Sequence, residues 1–117
     1  MKPEERLQTA VVEYLGYILP SNSFFHHSPN EGKRHVAFKL KLKKMGFKAG
    51  FPDLAIWVAN KPTIFIELKA GKNKQTASQL DVQKQLENLG CYYAVCHTLP
   101  DVDNFLKKVL TDGRRQI

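Results

Sequence analysis

The chain has 117 residues, 43% hydrophobic and 25% charged, which is the composition of one globular domain able to bury its own core and excludes a disordered or fibrous chain. With 18 Lys and Arg against 11 Asp and Glu the net charge is +7, so a polyanionic partner is expected, nucleic acid before an anionic membrane surface, because no strongly amphipathic basic helix carries the charge. No apolar run approaches membrane-spanning length and the N-terminus lacks a signal-peptide pattern; Cys91 and Cys96, five apart in one apolar run, face opposite sides of a strand and read as core thiols of a soluble intracellular protein.

In chain order, Leu7, Ala10, Val11, Tyr14, Leu15 and Ile18 form an i, i+3, i+4, i+7 stripe, which predicts an amphipathic helix from Pro3 to about Leu19, stopped by Pro20-Ser21-Asn22. Ser23 to His26 is a short strand, and Ser28 to Arg34 a loop. His35 to Met45 alternates like a strand in Val36, Phe38, Leu40 and Leu42, yet its lysines and length favour a helix ended by Gly46. Two apolar runs follow, Leu54–Val58 and Thr63–Ile66, joined by the turn signal Asn60-Lys61-Pro62. Lys74 to Leu89 reads as a helix with Thr76 or Ser78 near its start and Gly90 at its C-cap. Tyr92 to Cys96 is a buried strand, and a last helix spans about Asp101 to Leu110, with Arg114–Ile117 a frayed tail. The order α-β-α-β-β-α-β-α implies an α/β fold, a mixed central sheet flanked by helices, in a single domain over residues 1–117.

The chemistry concentrates in Gly50-Phe51-Pro52-Asp53, at the mouth of the first apolar run, and Glu67-Leu68-Lys69, at the end of the second. Strand residues two apart share a face, so Glu67 and Lys69 point one way while Leu68 points into the core. Two carboxylates with an adjacent lysine suit metal-assisted phosphodiester hydrolysis: hard oxygens hold Mg²⁺ or Mn²⁺, and the cation offsets charge on the phosphate. A three-residue loop centred on Lys61 places Asp53 opposite Lys69 with Glu67 on the diagonal, about 7–8 Å away and on the same face. A one-residue slip would put Asp53 on the other face. The first helix offers a third carboxylate. Glu4 extends the buried stripe, whereas Glu5 and Glu13 lie toward solvent; Glu4 either faces the site or only favours the helix N-terminus.

Taken with Glu4-Glu5-Arg6-Leu7-Gln8, Pro29-Asn30-Glu31-Gly32-Lys33-Arg34, Lys44-Met45-Gly46-Phe47-Lys48-Ala49-Gly50, Gln79, Leu86 and Gly90, these motifs resemble the VRR-NUC (virus-type replication-repair) family of the PD-(D/E)XK nuclease superfamily, over roughly Glu4 to Asp103. The Pro-Asp with a distant Glu-x-Lys is weakly specific alone; the ordered set is strong. The resemblance implies a restriction-endonuclease-like core and a Mg²⁺- or Mn²⁺-dependent DNA endonuclease. Asp53, Glu67 and the backbone carbonyl of Leu68 would be metal ligands, Glu4 would complete the acidic set directly or through water, Lys69 would position or activate the attacking water, and Gln79 would hydrogen-bond beside the site. Small stand-alone members, many from bacteriophages, resemble Holliday-junction resolvases and act as homodimers in DNA repair. That implies branched DNA as partner, no small-molecule cofactor, and the cytoplasm of a bacterial or phage-infected cell.

Plainer readings stand beside these. Asp53 could be a turn residue starting a strand, Lys69 an exposed strand-end lysine, and Gln79 a solvated amide. Lys33, Arg34, Lys39, Lys41, Lys43, Lys44 and Lys48 form a basic cluster that is either a solvated face or a set of phosphate contacts, extended by Lys72 and Lys74. Nothing resembles a base-reading motif, so DNA shape is the expected determinant. His26, His27, His35 and His97 show no zinc-ligand spacing; His26 could approach the acidic face but reads better as an ordinary strand histidine. The alternative to an enzyme is a non-catalytic nucleic-acid-binding module on a nuclease-like fold, which the intact Asp53, Glu67 and Lys69 disfavour.

Overall fold

The computed structural model of the protein describes residues 1–29 and 36–113. Its elements are α1 (Pro3–Ile18), β1 (Ser23–His27), α2 (Val36–Lys44), β2 (Leu54–Val58), β3 (Ile64–Leu68), α3 (Ala77–Asn88), β4 (Tyr92–Cys96) and α4 (Leu99–Thr111), the order that the sequence implies. The strands lie side by side in chain order; β2 pairs antiparallel with both β1 and β3, while β3 and β4 are parallel with α3 as the crossover.

Strands buried on both faces read as continuous apolar runs, and β2 and β3 do so because helices cover both sides. Leu54, Ile56, Ile64, Ile66 and Leu68 turn toward one layer, where Val11 and Leu15 of α1 and Val102, Leu106 and Val109 of α4 close the main core. Tyr14 of α1 donates to the Asp103 carboxylate of α4, tying the two helices together. Ala55, Phe65 and Tyr93 face the other way, toward Leu86 of α3. The cover ends at Trp57, which is exposed and leans on Phe24 of the edge strand with ring centroids 6.0 Å apart. Among the described residues no helix is long and apolar enough to cross a membrane.

Three boundaries and one register differ from the sequence reading. Helix α4 begins before Asp101: Thr98 is its cap, accepting from the Asp101 N–H at 3.2 Å, while the Asp101 carboxylate accepts from the Thr98 N–H at 3.2 Å. Pro100 fits the first turn because no donor is needed there. Helix α3 begins at Ala77 by the same reciprocal device, between Thr76 and Gln79, which leaves Lys74 in the preceding loop. The strand β1 extends to His27. In the hairpin, Leu54 pairs with Ile66 and Ile56 with Ile64, so the turn centres on Asn60 and not Lys61. Asn60 takes φ 66, a left-handed conformation that Asn tolerates, and the Lys61 N–H donates to the Val58 carbonyl at 3.1 Å. The partner of Asp53 thereby becomes Glu67 in place of Lys69. The shift is by two residues, and the strand repeat is two, so the shared face survives. Lys33, Arg34, His35 and the tail 114–117, on which the sequence reading also made statements, lie outside the described residues.

Gly50 shows how the loop before β2 is seated. Its φ is +84, and a Cβ there would lie 2.5 Å from the Ser78 backbone carbon and 2.7 Å from the Gln79 nitrogen. The chain therefore passes directly over the first turn of α3. Gly46, at φ +100, has nothing within 4 Å of the same position. Gly50→Ala is expected to destabilise by about 2–4 kcal/mol, combining strain with backbone overlap, and Gly46→Ala by only about 1 kcal/mol; urea denaturation of both variants checks the difference.

Candidate active site

Three layers meet at one end of the sheet, where β2 begins and β3 ends. Asp53 enters from the start of β2, Glu67 and Lys69 from the end of β3, Gln79 from the first turn of α3, and Glu4 from the first turn of α1; all five line one cavity of 140 Å³, with Gly50 and Phe51 in its wall. Phe51 is braced edge-on against Phe65 at 5.6 Å. The structure thus brings together all five residues that the sequence reading proposes as catalytic. It also separates the three helix carboxylates: Glu5 turns back to the Lys2 N–H at 3.4 Å and Glu13 is exposed, which leaves Glu4 as the one at the site.

Glu67 is the strained member. It is only 2% exposed, and it is the one charged residue in the core of the described chain. One carboxylate oxygen, Oε2, accepts from Gln79 Nε2 at 3.0 Å. The other, Oε1, is buried without a hydrogen-bond partner among the described residues. Burial first, and then the Asp53 carboxylate beside it, push the Glu67 carboxyl up to about 9; Lys69 opposes this and Glu4 adds to it. An acidic group held this way favours the proton unless a cation replaces it. Asp53 is anchored differently, its Oδ2 accepting from the Leu68 N–H at 2.7 Å, which locks the start of β2 to the end of β3. The amide of Gln79 is fixed at both ends, since its Oε1 also accepts from the Thr76 N–H at 2.9 Å.

These residues fit a divalent ion. Hard carboxylate oxygens converge, one of them is a buried acceptor with no donor among the described residues, and Lys69 lines the same cavity. Among the described residues no group of three or more His, Cys, Asp or Glu side chains is arranged to hold a metal. Asp53 and Glu67 would therefore be completed by backbone oxygen and water, with Glu4 reaching the ion through water.

Other expected residues fall elsewhere. Lys39, Lys43 and Lys48 line an adjoining groove between α2 and α3 that shares Phe47 and Phe51 with the Asp53–Glu67 cavity, and Lys44 is exposed; none of these four lysines lines that cavity itself. Lys72 and Lys74 lie in the loop after β3, beside a different recess. His26 is exposed, and its neighbour His27 is the histidine at the site: His27 Nδ1 is 3.0 Å from the Asp53 carbonyl, and the residue lines a 610 Å³ cavity with Glu4 and Asp53. Gln8 lines that cavity too, with Nε2 buried and without a partner among the described residues. Its spacing of four from Glu4 is the signal that could have flagged it. Cys96 is buried and Cys91 half-buried, both free.

Comparison with known proteins agrees with this fold. The VRR-NUC domain family matches residues 3–100. A solved structure described as a VRR_NUC domain protein superimposes with a TM-score of 0.78 at 25% identity, covering 100% of this chain and 98% of the other. None of the curated proteins matches.

The position of Glu67 has a thermodynamic consequence. Its carboxyl titrates at 4.5 as a free group and at about 9 in the fold. Between these values the metal-free fold holds a proton that the unfolded chain releases, so stability falls as pH rises through that window. In EDTA the melting temperature is expected to decline over this range, and Mg²⁺ or Mn²⁺ to restore it most at the alkaline end. Glu67→Gln should flatten the EDTA profile and abolish the rise with metal. Thermal melts followed by circular dichroism at several pH values check both.

Proposed function

The chain belongs to the VRR-NUC domain family, a family of nuclease domains, and on that premise we propose that it is a Mg²⁺- or Mn²⁺-dependent, structure-selective DNA endonuclease. The observation that carries the reading is the buried Glu67 carboxylate, with one oxygen unsatisfied, opposite Asp53 in a cavity that also holds Lys69 and Glu4. Asp53, Glu67 and the Leu68 carbonyl would hold a divalent cation, which would supply charge neutralisation at the phosphate and a more acidic water. The rest of the chemistry falls to the chain. Lys69 holds the attacking water in line with phosphorus and places positive charge where the phosphorane develops its negative charge. Gln79 keeps the Glu67 carboxylate from rotating, so its second oxygen stays directed into the cavity. Glu4 orders the outer waters.

The net charge of +7 supports a polyanionic substrate. Branched DNA such as a four-way junction is the substrate class we assign, in keeping with the absence of a base-reading motif, and a C₂ homodimer would present two sites to its two symmetric strands. A reducing cytoplasm, in a bacterial or phage-infected cell, suits the two free thiols.

The test incubates wild type and Lys69→Ala with junction, flap, duplex and single-stranded DNA in Mg²⁺, Mn²⁺ or EDTA. Wild type is expected to cut junctions best, only with metal, and Lys69→Ala to lose about 10²-fold or more in kcat. Cutting in EDTA, or undiminished cutting by the variant, would sink the mechanism. Binding of all four substrates with no cutting under any metal would instead identify a non-catalytic DNA-binding module.

A further inference from the structure

A second recess, of 470 Å³, lies past Lys69 at the same end of the sheet, lined by Lys72, Asn73, Lys74, Gln75 and His97 around Val95. It forms where β3 and β4 finish in parallel, Leu68 beside Cys96, and the chain leaving β3 is pinned there by the Lys69 N–H donating to the Cys96 carbonyl at 3.0 Å. Loops at the carboxyl ends of parallel strands are where such sheets receive ligands. Two polar groups of the wall are held in place. His97 Nδ1 is 3.0 Å from the Gly71 carbonyl, and because a carbonyl only accepts, Nδ1 carries the hydrogen and Nε2 is the free nitrogen. Gln75 Nε2 donates to the Tyr93 hydroxyl at 3.4 Å.

The chemistry of this recess is one-sided. Among the described residues its lining has two ammonium groups, two amides and an imidazole, and no carboxylate. The cavity on the other flank of Asp53 is of mixed sign, with the carboxylates of Glu4, Glu5 and Asp53 beside Lys2 and His27. A nucleic-acid strand with one phosphate at Asp53 and Glu67 carries another on each side, and of the two flanks only the Lys72–His97 recess meets its neighbour with cations and amides that no carboxylate among the described residues opposes. On the nuclease reading above, we propose that the Lys72–His97 recess is a phosphate subsite for the strand being cut, so that the protein grips that strand on one flank of the scissile bond and leaves the other flank free. Lys72 and Lys74 pair with the phosphate oxygens, Asn73 donates from its amide, and His97 closes the far wall.

The test uses junction oligonucleotides in which single phosphates near the cut are replaced, one at a time, by neutral methylphosphonates. For wild type, KM is expected to rise about 10-fold for neutral linkages on one flank and to stay level on the other, with kcat little changed. In Lys72→Ala/His97→Leu this positional sensitivity disappears, and the slope of log affinity against log salt, measured by anisotropy in Ca²⁺, falls by about 1. Lys72→Arg retains both the sensitivity and the slope, and melting temperatures verify that each variant is folded. Equal sensitivity on both flanks, or an asymmetry and salt slope unchanged in the double variant, overturns the subsite. A protein that never cuts DNA, yet loses salt slope in the double variant, supports the subsite and removes the nuclease reading; one that cuts while the slope stays fixed removes the subsite alone.

Discussion

Everything at the working end of this fold depends on one carboxylate that the core should reject. A charged group buried without compensation is among the costliest features a small domain can carry, and Glu67 has its Oε1 buried with no partner among the described residues. The surrounding sequence offers partial relief: one hydrogen bond from Gln79 and the nearby charge of Lys69. Asp53 and Glu4 act in the opposite direction. The protein has therefore concentrated negative charge where burial already disfavours it. Such an arrangement is unfavourable for the empty fold and favourable for a fold that binds a cation, which is how a stability cost becomes binding affinity.

The remaining architecture can be read as support for that carboxylate. The main core, built by α1 and α4 against one face of the sheet, fixes the strands without involving the acidic face. That leaves the opposite layer free to carry polar work. The capping box of α3 serves two purposes, since the Gln79 oxygen that stabilises the helix start also orients the amide that holds Glu67. Gly50 allows the loop before Asp53 to pass over the same helical turn with no room for a side chain. A backbone adjustment of a few tenths of an ångström at that crossing would move Gln79 and, through it, Glu67. Helix capping, loop packing and site geometry are one mechanical unit here.

Much of this was legible in the sequence because it rests on short periods. The stripe of α1, the apolar runs of β2 and β3, and the parity of Asp53, Glu67 and Lys69 all follow from repeats of 3.6 or two residues. The starts of α3 and α4 were not, because Thr76 and Thr98 act as caps through reciprocal bonds that compete with equally plausible neighbours, Ser78 and Asp101. The choice among Glu4, Glu5 and Glu13 needed the third dimension: α1 lies on the face of the sheet opposite α3, and only its first turn projects past the strand ends toward Glu67. His27 was hidden for a similar reason. Sequence spacing said nothing of its ring meeting the Asp53 carbonyl, a contact made across the β1–β2 pairing. The basic cluster of α2 is the reverse case, where charge was visible but its placement on a neighbouring groove, across Phe47 and Phe51 from the acidic cavity, was not.

The hairpin register shows why the central inference tolerated an error. The turn centres on Asn60 and not on Lys61, and this moves the partner of Asp53 by two positions. An error of that size changes neighbours on a face; an error of one would have changed the face itself. The same argument constrains the protein. Lengthening the β2–β3 turn by an even number of residues could leave both carboxylates facing α3 if the strands kept their pairing. An odd change in pairing would send Asp53 toward the apolar layer of Leu54 and Leu68 and leave Glu67 buried without the partner with which it could share a cation. Parity, more than the distance between the motifs along the chain, is what holds the site together.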